Sequence, residues 1–229
     1  ALALGAAEAL GGAAILALAT RVPVWFSLAV FPFDLRATTM VFGSPENLLL
    51  RAAAAEMNAF YGHSPTGDRG LGDLYVMAKL PEAQAAAEKA SLMTAAALLG
   101  QRHFSGAGSL SMDDIFSPEQ LLIDCEIRDH VQRLVDGLDT GESGQDWVQV
   151  VKEGCERGFV GLDSTLDNYK RLYWYPRLFD RGAFGAWMRA GQPSLHERTR
   201  ALFHESLSRY SYELDPVRRA ELHRIWERA

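Results

Sequence analysis

The sequence predicts an α/β fold in which parallel strands are each followed by a helix, and three features predict it. A Pro-Glu pair recurs at Pro45-Glu46, Pro81-Glu82 and Pro118-Glu119, at intervals of 36 and 37 residues. Proline suits the first helical position, where its missing N–H would be unpaired, and an acid in the first turn complements the helix dipole. Each pair follows an apolar run of strand length. One strand, one loop and one helix in ~30 or more residues is the length of a βα unit.

The elements are read in order as follows. Residues 1–20, ALALGAAEALGGAAILALAT, resemble a signal peptide or a membrane span in hydropathy. Glu8 and the small Ala and Gly side chains favour an Ala-rich helix buried against a sheet. The absence of an initiator Met there suggests the back part of a longer protein. Residues 24–30 (VWFSLAV) form the first predicted strand, and Ser44 then caps a helix that runs to Gly62. After a Gly/Pro/Asp-rich loop at 62–73 come a strand LYVMA (74–78) and a helix opened by Pro81. A third strand, 102–108, runs into a glycine turn. Ser117 and Gln120 then read as a capping box for a helix ending near Gly137. A turn at 139–144, a short helix around WVQVVKEGCE and a fourth strand at 157–161 follow. From about Asn168 the chain reads as helical to the end, with breaks near Gly182, Pro193 and Pro216. Residues 168–229 are thus expected to be a helical extension packed on the rest of a single domain.

Four strand-helix pairs make either half of an eight-stranded barrel or a small open parallel sheet. Bare parallel edges invite association, so a half-barrel is expected to need a covering surface, a homo-oligomer being one.

Composition narrows the function. The 229 residues are 48% hydrophobic and 23% charged, ordinary for a globular chain, and the formal net charge of −6 opposes nucleic-acid binding. Cys125 and Cys155 read as reduced core thiols in a reducing, cytoplasmic setting. The six histidines lack any metal-ligand spacing, so no metal site is expected.

Parallel topology would bring the strand ends to one rim. The rim segments are 31–34, 78–80, 105–108 and 162–165. Their side chains are aromatic, acidic and hydroxylic with one lysine, a combination suited to a methylated ammonium, whose charge aromatic faces attract. Plain packing explains some of them equally well. Phe31 and Phe33 fit beneath the loop, Asp34 can pair with Arg36, and Asp163 can cap a helix. Tyr169, Tyr173, Trp174 and Tyr175 recur at core spacing. Gly106 and Gly108 offer a weak phosphate-loop alternative.

Four stretches carry a resemblance. They are FDLRATTMVFGSPENLLLRAAAAEMNAFYG (33–62), AKLPEAQAAAEKA (78–90), SPEQLLIDCEI (117–127) and YPRLFDRGAFGAWMRAG (175–191). In content and order they resemble the C-terminal half of the trimethylamine methyltransferase family, the corrinoid-dependent methylamine and betaine methyltransferases. The resemblance implies a (β/α)8 TIM barrel, with this chain as about its C-terminal half: four parallel strands with helices, plus C-terminal helices. It implies transfer of a methyl group from a methylated amine, such as glycine betaine, to the Co(I) form of a cobalamin. That corrinoid would be supplied by a partner corrinoid protein and not bound tightly by this chain. The methylamine-consuming route to methane is the family's setting.

In place of the family's pyrrolysine block the sequence has Lys79-Leu80-Pro81-Glu82-Ala83-Gln84, so it resembles the members without pyrrolysine. Ser164 stands where the family has a histidine before Thr165, and Tyr75 where a small residue is usual. The two readings together nominate Lys79, Leu80 and Asp163 as catalytic candidates, and Phe31, Phe33, Asp34, Thr165, Tyr169 and Trp174 as substrate-binding candidates. Neither nucleic acid nor membrane is expected as a partner. The rival expectation is a degenerate half-barrel that binds or assembles without chemistry.

Overall fold

The computed structural model describes residues 1–24, 26–62, 70–138 and 146–228. Trp25 in the first predicted strand, 63–69 in the predicted loop and the predicted turn at 139–144 lie outside the described residues.

The helices follow the sequence closely. They are α1 (Leu2–Thr20), α2 (Pro45–Phe60), α3 (Ala83–Leu98), α4 (Pro118–Val135) and α5 (Trp147–Arg157), then α6 (Asp163–Leu172), α7 (Phe184–Arg189), α8 (Leu195–Ser208) and α9 (Pro216–Trp226). The Ser44 side chain caps α2 by accepting the Asn47 N–H, and Ser117 caps α4 by accepting that of Gln120. The second half of the expected box is missing: the Ser117 N–H goes to the Gly108 carbonyl at 2.9 Å, and the Gln120 side chain turns to Asp124. A complete capping box stands at Ser194 and Glu197, opening α8. Pro81 does not open α3, which starts at Ala83 with Glu82 as its N-cap.

The barrel expectation is overturned. Among the described residues the chain is mostly helical and forms two small sheets, β1 (Phe33–Asp34) with β2 (Thr39–Met40) and β3 (Ser109–Leu110) with β4 (Ile115–Phe116). Both are antiparallel hairpins, and the described residues form no closed barrel of parallel strands.

Each predicted strand departs for a local reason. In 26–30, the side-chain amide of Asn58 accepts the Leu28 N–H at 2.8 Å and donates to its C=O at 3.1 Å, taking the place of a strand neighbour. The 72–78 segment makes one parallel bridge, Asp73 to Ser105, and one antiparallel bridge, Val76 to Met112. With two partners of opposite sense it extends neither into a ladder. At 157–161, Gly158 takes φ 85° and ends α5, and Phe159–Gly161 coils into a 3-10 turn.

The main core lies where α3 packs on α4. Leu74, Met93, Ala97, Ile123, Ile127, Val131 and Leu178 form one buried cluster. Val76, Ala78, Ala85, Leu92 and Leu110 form a second. The Ala-rich face of α3 lets these neighbours approach closely and has high helix propensity. Leu195 and Leu202 seat α8 against the first cluster, and Glu119 of α4 pairs with Arg200 at 2.9 Å and His196 at 3.0 Å.

The first helix is not buried against a sheet. Only Ala6 of α1 is buried, where it meets Leu28 and Ala54. By length and composition α1 could cross a membrane: it has 19 residues, mean hydropathy 1.8, and 6% of its apolar window buried. Both cysteines are free, but neither lies in the core as expected: Cys125 is half-buried and Cys155 is exposed.

Candidate functional site

Lys79 and Leu80 line an open recess of about 350 Å³ together with Met77, Ala78, Glu82 and Gln84. Lys79 is exposed, and its ammonium donates to the Met77 carbonyl at 2.5 Å. The backbone beneath it is fixed by Glu88 of α3. One Glu88 oxygen accepts the N–H groups of Met77 at 2.9 Å and Ala78 at 3.2 Å, and the other accepts the Gln84 amide at 2.6 Å. The carboxylate is therefore used by three donors, and charge assistance makes such bonds stronger than neutral ones.

An aromatic row, none of whose rings lines the recess, is connected to it through Glu88. Phe31 packs on Phe42 with ring centroids 5.3 Å apart, and Phe42 meets Tyr75 edge-on at 6.0 Å. Gly43, next to Phe42, takes φ +72° and lies so close to Glu88 that a Cβ there would meet its carboxyl oxygen at 3.0 Å. Glu88 thus touches the backbone that carries the row as well as the recess. The Tyr75 ring lies over Gly106, where an added Cβ would meet it at 3.4 Å. Phe31 is 42% exposed, so it is not packed beneath a loop.

The neighbouring residue on α3, Lys89, is fully buried. Its ammonium reaches Asp124 of α4 at 2.6 Å and the Gly106 carbonyl at 3.2 Å. Asp124 in turn accepts the Gly108 N–H and the Gln120 amide, each at 2.7 Å. Burial pushes the Lys89 pKa down, and the charge and hydrogen bond of Asp124 oppose that shift. The glycine turn is therefore clamped by a buried ion pair. Its Gly108 N–H is spent on a carboxylate, which removes the phosphate-loop alternative.

The remaining nominated residues lie elsewhere. Phe33 and Asp34 form the β1 arm of the first hairpin; Phe33 is exposed, and Asp34 accepts the Arg36 N–H at 2.7 Å rather than pairing with its guanidinium. Asp163 is exposed in the first turn of α6, whose N-cap is Leu162 with no side-chain cap bond. The Thr165 hydroxyl donates to the Phe159 carbonyl at 2.7 Å. Tyr169, Tyr173 and Tyr175 are exposed rather than core. Trp174 packs edge-on against His130 of α4 at 5.3 Å and carries the Arg181 guanidinium at 5.2 Å from its ring centroid. It lines a separate recess of about 380 Å³ with His130, Arg133, Leu134, Gly137, Leu138 and Arg181. Among the described residues, no hydrogen bond, ion pair or ring contact joins Asp163, Thr165, Tyr169 or Trp174 to Phe31, Phe33 or Lys79.

Sequence reasoning missed Phe42, Glu88, Lys89, Gln120, Asp124 and Glu126. Glu126, also buried, accepts the N–H groups of Arg177 at 3.2 Å, Leu178 at 2.9 Å and Phe179 at 3.0 Å. A signal was present: Ala85, Lys89, Leu92, Met93 and Ala96 share one helical face, and so do Gln120, Asp124, Ile127 and Val131. A lysine and an aspartate on facing apolar stripes mark a buried pair.

Segments 33–62, 78–90, 117–127 and 175–191 therefore meet through Glu88, Lys89, Asp124 and Glu126. The chain belongs to the trimethylamine methyltransferase family: the family model described as Trimethylamine methyltransferase (MTTB) matches residues 1–228. Among its relatives, Trimethylamine methyltransferase MttB of Methanosarcina thermophila is 33% identical over 193 residues, 82% of this chain and 38% of that protein. MttB of Methanosarcina barkeri is 34% identical over 175 residues, 75% of this chain and 34% of that protein. Glycine betaine methyltransferase of Desulfitobacterium hafniense (strain Y51) is 30% identical over 191 residues, 82% of this chain and 39% of that protein. The chain thus spans less than two-fifths of the length of these curated relatives.

Proposed function

We propose that the protein containing this chain transfers a methyl group from a methylated ammonium compound to the Co(I) corrinoid of a separate protein. The observation that carries the reading is membership of the family along residues 1–228. Among the described residues no group of three or more His, Cys, Asp or Glu side chains is placed to hold a metal. In this reading the corrinoid enters as the methyl acceptor, a substrate presented by its own carrier. It supplies a nucleophilic electron pair; the C–N bond breaks with its own pair left on nitrogen, releasing a neutral amine.

The work of this chain is to bind, orient and desolvate the cation. In this reading the rings of exposed Phe31 and half-buried Phe42 and Tyr75 attract the methylated nitrogen. Lys79 puts a positive charge in the adjacent recess. It would repel a bare cation but pair with the carboxylate of a zwitterion, which favours a betaine over trimethylamine. A quaternary nitrogen already carries the charge that makes it a leaving group, so Lys79 and Leu80 need form no covalent adduct. Asp163, Thr165, Tyr169 and Trp174 remain candidates for a second wall, with the carboxylate of Asp163 balancing the ligand's charge.

The test uses the full-length protein, a reduced corrinoid protein and a panel of betaines, choline and tertiary amines. The expected result is conversion of the corrinoid spectrum to its methylated form with at least one betaine. Absence of conversion with every amine overturns the reading. The separation of Asp163 and Thr165 from the Lys79 recess favours a second reading, binding without chemistry; calorimetric binding of a betaine with no methyl transfer would establish it.

A further inference from the structure

We infer that Glu88 and Lys89, consecutive residues of α3, are positioning residues that set the spacing between the Lys79 recess and the glycine turn under Tyr75. The inference rests on the proposed methyl transfer at that recess and adds to it the groups that hold its backbone.

The geometry is specific. Successive residues of a helix point about 100° apart, so neighbours can serve two different segments. Glu88 takes the segment on one side: its carboxylate accepts the Met77 and Ala78 N–H groups directly before Lys79. Lys89 takes the other, donating to the Gly106 carbonyl while its partner Asp124 accepts the Gly108 N–H. Tyr75 lies between the two grips, two residues before Met77 and over Gly106. Phe42 reaches Tyr75 from the chain beside Gly43, which is pressed against Glu88. Phe42 and Tyr75 of the aromatic row are thus both referred to one turn of one helix. Ala78 is fully buried, so its N–H has the Glu88 carboxylate as acceptor in place of water.

Both Glu88 oxygens act as acceptors, one for two backbone N–H groups and one for the Gln84 amide. Glu88→Gln keeps size and shape, and the exposed Gln84 amide can turn its oxygen to the new NH2, but the Met77 and Ala78 N–H groups lose a charged acceptor for a neutral one. The exchanged pair Glu88→Gln/Gln84→Glu fixes the amide's orientation: its oxygen takes the backbone N–H groups, and its NH2 donates to the carboxylate at position 84.

The experiment is made on the full-length protein with a betaine as probe. Steady-state methyl transfer, calorimetric affinity and hydrogen exchange of peptides covering 74–80 and 105–110 are measured for wild type, Glu88→Gln, the exchanged pair and Ser91→Ala. Ser91 is exposed on α3, where its hydroxyl donates to the Ala87 carbonyl, and serves as control. Glu88→Gln is expected to raise KM and weaken betaine affinity about ten- to a hundredfold, the cost of displacing a positioning group by a fraction of an ångström to an ångström. Its kcat stays within about threefold of wild type, a change worth less than ~1 kcal/mol in the barrier. Exchange quickens at Met77 and Ala78, and the exchanged pair slows it again. A residue that only stabilised the fold would lower the active fraction, giving reduced kcat at unchanged KM; that result overturns the inference. Unchanged exchange at 77–78 in Glu88→Gln overturns it as well. If wild type neither binds nor demethylates any betaine, the proposed function fails, and the inference fails with it as a statement about substrate. Faster exchange in Glu88→Gln would still establish the grip on the backbone.

Discussion

Replacing Lys89 with methionine isolates the buried ion pair that joins α3 to α4. The lysine side chain is 0% exposed and that of Asp124 1% exposed. In Lys89→Met the carboxylate stays buried with two donors, the Gly108 N–H and the Gln120 amide, but without a counter-charge. Removing one partner of a buried pair costs about 3–5 kcal/mol, most of it the penalty of an uncompensated charge. The Gly106 carbonyl also loses its donor, which lies within that range. Replacing both partners, Lys89→Met/Asp124→Leu, removes both charges and leaves the Gly108 N–H, the Gln120 amide and the Gly106 carbonyl unmatched, at about 1–3 kcal/mol each. Because no uncompensated charge stays buried, the double variant is expected to lose clearly less than the sum of the two single variants, a strongly non-additive cycle. Equilibrium urea unfolding, with the m-value as a check on mechanism, measures it. A loss under ~1 kcal/mol in Lys89→Met, or additive single effects, would refute the reasoning that this pair is dry and mutually dependent.

Three other outcomes are expected. Glu126→Ala leaves the N–H groups of Arg177, Leu178 and Phe179 without their acceptor and should cost about 3 kcal/mol, with limited proteolysis opening first near 173–182. Gly72→Ala would set a Cβ 2.1 Å from the His103 carbonyl oxygen, so the backbones at 72–74 and 103–105 must part; about 1–3 kcal/mol in urea unfolding is expected. Glu197 is held below the usual 4.5 by accepting the Ser194 N–H and hydroxyl, so its stabilising contribution is present above that pH and lost as pH falls through the folded value. Wild type should accordingly exceed Glu197→Gln in Tm at pH 7, and the difference should close in more acidic solution.

The helices were legible in the sequence because their signals are local. Ser44 and Ser117 each cap a helix whose first position is proline, and those two boundaries stand where the spacing put them. The strands were not, since a short apolar run does not say what will satisfy its backbone. At Leu28 that role fell to a side chain 30 residues away, Asn58. At 157–161 the positive φ of Gly158 turned the chain before a strand could begin. Of the nominated residues, Lys79 and Leu80 line a recess, and Phe31 belongs to an aromatic row. Their supports were not legible. Lys89 in an Ala-rich stretch reads as a solvated charge until Asp124 is placed on the facing stripe of α4. The four motif segments derived their resemblance from residues that hold backbone, Glu88 and Glu126 among them, as much as from any that face the recess.

Calorimetric titration of the full-length protein with a betaine and with choline, in wild type, Phe42→Leu and Lys79→Met, tests the central claim that an aromatic row and one lysine receive a methylated zwitterion. Loss of one cation–π contact, about 0.5–2 kcal/mol, predicts weaker binding of both ligands to Phe42→Leu. Lys79→Met should weaken the betaine alone, because choline has no carboxylate. Equal affinities across the three proteins would contradict the account.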